Sequence, residues 1–226
     1  MLHSMRQFDD LTYVHSVNVA LIASILGQWL KFSEKDIRIL TISGLLHDIG
    51  KIMIPNEILT KPGKLTVAEY NIMKQHVNFG YEKVKNQNID IRIKEACLLH
   101  HEKCDGTGYP FGLKSDHIPA VAKIIAIADV YDAMTSARVY RGALCPFEVI
   151  DTMYKDAFTK FEPEYILPFL KNVASSYINN DVRLSDGRIG KVVLINENAL
   201  SLPIVQCEDE FIDLSKTRGL TVSAIL

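Results

Sequence analysis

The chain of 226 residues has no Cys-x-x-Cys pair, no uninterrupted apolar run long enough to span a bilayer and little excess of charge of either sign. Its four cysteines, Cys97, Cys104, Cys145 and Cys207, are scattered, which argues against a zinc ribbon or a disulfide framework and points to reduced thiols in a cytoplasmic setting. The most apolar N-terminal stretch, Val17 to Leu30, is interrupted by Asn18, Ser24 and Gln28, so neither membrane insertion nor a signal segment is expected. A formal net charge of -2 gives no positive field to draw the chain onto duplex nucleic acid. An anionic substrate must then be met by local charge or by metal. Internal repeats and low-complexity segments are also lacking. No receiver or sensor sequence precedes residue 10, so a fragment or a minimal protein is expected, with a homodimer or an upstream sensor domain left open as partners.

What is present is a 48% apolar composition, enough for a substantial core. From about Asp10 to Tyr177 apolar residues recur at helical spacing, as in Ile37, Leu40, Ile42, Leu45 and Leu46. Ser33 is a good N-cap, Thr66 with Glu69 forms a capping box, and Pro146 and Pro163 suit first-turn positions. These signals predict an all-α domain of about seven helices over residues 1–178. After about Asn180 the texture changes to short β-rich runs, Val182 to Leu184, Val192 to Ile195, Pro203 to Cys207 and Phe211 to Leu214. A small antiparallel β subdomain over 179–226, packed on helices, is the expectation.

The chemistry-bearing residues are histidines and aspartates. His47-Asp48-Ile49-Gly50-Lys51 sets a histidine and a carboxylate side by side on one helix, where both can reach a metal, with Lys51 one turn beyond His47 on the same face. Alone, such a pair is a weak signal. The doublet His100-His101 follows the apolar Leu98-Leu99, and buried imidazoles there need hydrogen bonds or a metal. The next loop carries Glu102, Asp105 and Gly108-Tyr109-Pro110, where glycine allows close backbone approach and Tyr109 offers an aromatic face. His15 lies in the apolar helix Tyr13 to Leu26 and His76 in the helix opened by Thr66, and a satisfied core histidine is the plainer reading of either one alone. Asp129 sits within the apolar run Val121 to Val130, and its desolvation calls for a cation or a strong donor. His3 and His117 read as solvated.

The strings LHDIGKIMIPNEILTKPGK from Leu46, HHEKCDGTGYPFGL from His100 and ADVYDAMTSARVYR from Ala128 closely resemble the HD-GYP family over roughly residues 10 to 175. The resemblance implies an HD-type helical bundle in which His15, His47, Asp48, His76, His100, His101 and Asp129 hold two divalent metal ions, with Asp48 between them. It further implies Lys51 beside the scissile phosphate and a substrate mouth shaped by Gly108, Tyr109 and Pro110. Arg138 and Arg141 match positions that hold substrate phosphates, and Asp105 is grouped with the substrate contacts. A third metal would require a glutamate where this chain has Leu11.

Imidazole and carboxylate without thiolate suit iron or manganese and tolerate nickel, cobalt or zinc. The implied activity is hydrolysis of a cyclic dinucleotide, cyclic di-GMP to pGpG and on to GMP, or the mixed GMP–AMP dinucleotide. A binding module without turnover and an HD-type phosphohydrolase acting on another nucleotide are the alternatives.

Overall fold

The computed structural model describes residues 10–136 and 144–226; Arg138 and Arg141 lie outside the described residues, as does His3. The chain falls into two compact units. One runs to Ala133 and includes Thr159–Tyr165; the other comprises Met134–Phe158 and Ile166–Leu226.

The first unit contains α1 (Asp10–Trp29), α2 (Glu34–Leu46), a 3-10 turn (Ile49–Met53), α3 (Asn56–Leu59), α4 (Val67–Met73), α5 (His76–Val84), α6 (Ile91–Leu99), a second 3-10 turn (Ser115–His117) and most of α7 (Ala120–Thr135). The start signals work as their chemistry requires, by giving free amide hydrogens an acceptor. Ser33 accepts from Asp36 N–H ahead of α2, Thr66 and Glu69 form the reciprocal capping box of α4, and Asp90 accepts from Arg92 N–H ahead of α6. The core of this unit includes Val19, Ala23 and Leu26 of α1, Leu40 of α2, Ile49, and Val77 and Val84 of α5. In α7, Val121, Ala122, Ile124, Ile125, Ile127 and Ala128 are all buried, so this helix is apolar around most of its circumference. Asp129 is therefore carried on a wall of hydrocarbon.

Two local expectations are corrected. The sequence places His76 in the helix opened by Thr66, but that helix ends at Met73. Lys74 and Gln75 tighten the chain through bonds such as Gln75 N–H to Ile72 O (3.0 Å), and His76 begins α5. The His47-Asp48 pair also does not lie inside a helix. His47 caps α2, and Asp48, at φ -99° and ψ 10°, opens a 3-10 turn closed by Lys51 N–H to Asp48 O at 2.9 Å. The tighter turn brings Lys51 back beside Asp48 at a spacing of three residues.

The second unit holds α8 (Pro146–Lys155), most of α9 (Pro163–Ser176) and a five-stranded antiparallel sheet. Its strands are β1 (Asp181–Leu184), β2 (Ile189–Leu194), β3 (Ile204–Cys207), β4 (Glu210–Asp213) and β5 (Val222–Ile225), in the order β4-β3-β2-β1-β5. β5 is absent from the sequence reading. It is four residues long, and its pairing with β1 is broken by an irregularity at Arg183/Leu184, so it carries little alternation to read.

A sheet this small has little core of its own. It shares its unit with α8, which contacts β5, and both contribute buried side chains, Phe147, Ile150 and Met153 from α8 and Val182, Val192 and Val205 from the strands. Secondary structure thus changes near Asn180, while compactness groups α8 and most of α9 with the strands. No helix of the described residues is long and apolar enough to cross a membrane, and all four cysteines are free.

Candidate metal centre

Seven side chains from the first unit converge. His15 comes from the middle of α1, His47 and Asp48 from the end of α2, His76 from the start of α5, His100 and His101 from the end of α6, and Asp129 from α7. They form two groups whose donor atoms lie within 4.8 Å of one another, Asp48 with His76, His100 and His101, and His15 with His47 and Asp129. The Asp48 carboxylate joins them. Its Oδ1 is 3.3 Å from His76 Nε2 and 3.8 Å from His100 Nε2, while its Oδ2 is 3.2 Å from His47 Nε2 and 3.7 Å from His15 Nε2. Lys51 Nζ donates to the same Oδ2 at 2.5 Å. Asp129 faces His15 at 2.9 Å and His101 Nδ1 at 3.8 Å.

Backbone carbonyls fix the ring orientations. Nδ1 of His47 donates to Gly44 O at 2.7 Å, that of His76 to Met73 O at 2.8 Å, and that of His100 to Ala96 O at 2.9 Å. A carbonyl can only accept, so each Nδ1 carries the hydrogen and each neutral ring presents an Nε2 lone pair inward. Nε2 of His76 and His100 then face each other at 3.5 Å, lone pair to lone pair, an arrangement that calls for a cation between them. Buried His47 Nε2 and Asp48 Oδ1 have no hydrogen-bond partner, which is costly without an ion. The residues fit divalent metal.

Electrostatics agree with the ligand chemistry, because metal binding needs neutral imidazole and ionised carboxylate. Burial holds His76 and His100 below the usual histidine range and lowers His101 to about 3. Burial would raise Asp48, but His47 and Lys51 outweigh it and hold the carboxyl well below its ordinary value. Burial also opposes charge on His15, yet hydrogen bonds to Asp129 and Asp132 prevail and raise it to about 9, so a cation must displace a proton there.

For metal-free protein the signs are opposite on the two sides of the ordinary histidine value. The depressed histidines are neutral when folded and take up protons on unfolding below about pH 6.5, so stability falls as pH drops toward 3. His15 contributes fully below that value and loses its contribution as pH rises through about 9. Thermal melts of chelator-treated protein should peak near pH 6.5 and decline on both sides, each group adding up to about 1.4 kcal/mol per pH unit. A flat profile between pH 4.5 and 9 is the contrary outcome.

Two residues to which the sequence alone assigns no role support the cluster. His15 Nδ1 donates to Asp132 Oδ2 at 2.6 Å, and Asn18 Nδ2 holds Asp132 Oδ1 at 2.9 Å. Asp132 therefore orients the His15 ring as a carboxylate behind a metal-binding histidine does. Its spacing of three from Asp129 on an apolar helix was the available signal. Asp132→Asn should lower metal affinity by about 10- to 100-fold, as titration against a competing chelator would measure. The second residue is Glu102, whose buried carboxylate accepts from Phe111 N–H (2.7 Å) and Leu113 N–H (2.9 Å) and ties down the following loop.

That loop meets the cluster through Tyr109. A Cβ on Gly108 would lie 2.5 Å from both Glu102 Cα and His101 O, so only glycine allows this approach. Tyr109 N–H donates to His101 O (3.2 Å), and its ring stacks on His101 with centroids 4.7 Å apart, ahead of a cis bond to Pro110. Asp105 is exposed, and its Oδ1 accepts from Thr107 N–H and Oγ1–H, shaping the loop. His117 is exposed in the second 3-10 turn.

The HD domain family model matches residues 6–165, and the chain belongs to that family. It is 36% identical over 203 residues to a cyclic di-GMP phosphodiesterase of Pseudomonas aeruginosa, covering 89% of this chain and 49% of that protein. It is 40% identical over 148 residues to a 3'3'-cGAMP-specific phosphodiesterase of Vibrio cholerae, covering 64% of this chain and 34% of that one. The HD-GYP resemblance carried by the three motifs is thereby borne out, and the chain spans about half or less of the length of these relatives. Among solved structures, the HD domain of the Listeria monocytogenes phosphodiesterase PgpH, in complex with cyclic di-AMP, has the same fold. Its TM-score is 0.59 at 18% identity, over 77% of this chain and 94% of that one.

Proposed function

We propose that this chain is the catalytic part of a metal-dependent phosphodiesterase that hydrolyses a cyclic dinucleotide, with cyclic di-GMP the first candidate and the mixed GMP–AMP dinucleotide the second. The observation that carries the reading is the buried Asp48 carboxylate, set between two histidine groups with one oxygen lacking any hydrogen bond and the other beside Lys51. His15, His47 and Asp129 would hold one ion, and His76, His100 and His101 the other, with Asp48 shared. Iron or manganese suits these donors, and the free thiols accord with a cytoplasmic setting.

When bound, two divalent ions supply Lewis acidity toward phosphoryl oxygens and make nearby water a stronger acid. The chain does the rest. Asp48 and Asp129 offset the positive charge of the site, and the apolar α7 wall keeps the local dielectric low, which strengthens each charge interaction. Lys51, near the surface end of Asp48, is placed to neutralise charge that grows on the phosphoryl oxygens as the ester bond breaks. Tyr109 and the loop anchored by Glu102 wall the mouth.

Lys51→Ala should therefore keep its metal while kcat falls by about 10²- to 10³-fold. Metal analysis beside steady-state kinetics measures both, and a loss of metal in parallel with rate would instead make Lys51 a prop for Asp48. The reading itself is tested by metal content of anaerobically purified protein and by hydrolysis of both dinucleotides with Mn(II) or Fe(II). Two ions per chain with linear product supports it, and metal without turnover of either substrate refutes it.

A further inference from the structure

A cyclic dinucleotide carries a second phosphate and two aromatic bases, so the metals and Lys51 can account for only part of its recognition; Arg138 and Arg141, which the resemblance sets against phosphates, lie outside the described residues and leave the bases unassigned. Beside the cluster lies a cation with no anionic partner among the described residues. Lys74, at the C-terminal cap of α4, has its Nζ 5.3 Å from the ring centroid of Tyr70 and 5.9 Å from that of Tyr109. Tyr109 in turn stacks on His101 and meets His76 edge-on at 6.4 Å. The sequence of contacts His101, Tyr109, Lys74, Tyr70 is thus continuous from the candidate metal ligands to the surface, where Tyr70 is 48% exposed.

Lys51, Lys61 and Lys123 each pair with a carboxylate, of Asp48, Glu69 and Glu162 respectively. Among the described residues no carboxylate lies within ion-pair distance of Lys74. Two ring faces hold its ammonium in place by cation–π attraction without using up its N–H donors, which remain available to an anion. A free cation flanked by an exposed aromatic face offers one group for a phosphate and one for a base.

We propose that Tyr70, Lys74 and Tyr109 form a second substrate subsite, in which Lys74 pairs with the phosphate that is not cleaved and Tyr70 stacks on a nucleobase. The inference rests on the cyclic-dinucleotide reading of the metal centre. It makes residues of the α4 end, which the sequence motifs do not single out, determinants of affinity.

The test is calorimetric titration of the metal-loaded chain with a non-hydrolysable phosphorothioate analogue of cyclic di-GMP. Lys74→Gln should weaken binding by about 10- to 100-fold and reduce its salt dependence, Lys74→Arg should restore most of the loss, and Tyr70→Leu should weaken binding by about 10-fold. Metal content and melting temperature should stay at wild-type levels. Binding by Lys74→Gln within twofold of wild type overturns the subsite, as does a loss that merely follows a fall in melting temperature. Wild-type protein that binds the analogue but cleaves no cyclic dinucleotide sinks the catalytic reading and leaves the subsite standing. Wild-type turnover with an unimpaired Lys74→Gln does the reverse, and a wild type that neither binds nor cleaves overturns both.

Discussion

Asp48→Ala should lose bound metal and reduce turnover by at least about 10³-fold, the scale on which the loss of one group that stabilises developing charge acts. Asp129 also reaches both groups, His15 through Oδ1 at 2.9 Å and His101 through Oδ2 at 3.8 Å, but Asp48 faces two histidines of each group. Oδ1 serves His76 and His100, Oδ2 serves His47 and His15, and the carboxylate is 1% exposed. Without it two divalent ions would sit among five imidazoles with Asp129 as the sole carboxylate of the two groups. Lys51 would then face those ions with no counter-charge between. Asp48→Asn keeps the volume and one oxygen but not the charge, and should fail similarly on metal content. That separates electrostatics from a packing defect, which circular dichroism and melting would reveal. Full activity in Asp48→Ala would refute the two-ion reading outright.

The legible part of this site was the part whose chemistry is conspicuous against an apolar background. Asp129 stands out because a carboxylate amid isoleucines and alanines needs a partner, and the His100 doublet stands out because it ends an apolar helix. The structure brings both to the cluster. Less legible were residues that act through others. Asp132 and Glu102 look like ordinary acids in sequence, and their roles exist only because α7 lies beside α1 and because the loop after α6 folds back over its own start. Helix boundaries at Met73 and Leu46 were misread for a related reason. Apolar spacing runs on through both junctions, while the breaks are made by tight i to i+3 bonds that no single residue type announces. The sheet was readable except for β5, an edge strand of four residues whose burial does not alternate.

Two glycines that face each other across the 3-10 turn and α5 should respond to alanine with opposite signs. A Cβ on Gly50 would lie 1.9 Å from His76 O and 2.4 Å from Gly80 N. Both are backbone atoms, so no rotamer change relieves the clash and α5 itself must move. Overpacking of this kind costs about 3 kcal/mol or more. The displacement begins at His76, so Gly50→Ala should lower melting temperature and metal affinity together. A Cβ on Gly80, by contrast, meets nothing closer than 3.4 Å, at Gly50 N, which is ordinary contact. Gly80 lies mid-helix in α5, where alanine is favoured over glycine by about 1 kcal/mol. Gly80→Ala should be neutral or up to about 1 kcal/mol more stable, with metal content unchanged. Chemical denaturation of the two variants gives both signs. Equal tolerance of alanine at the two positions would mean that the spacing between the turn carrying Lys51 and the helix carrying His76 is not fixed by backbone contact.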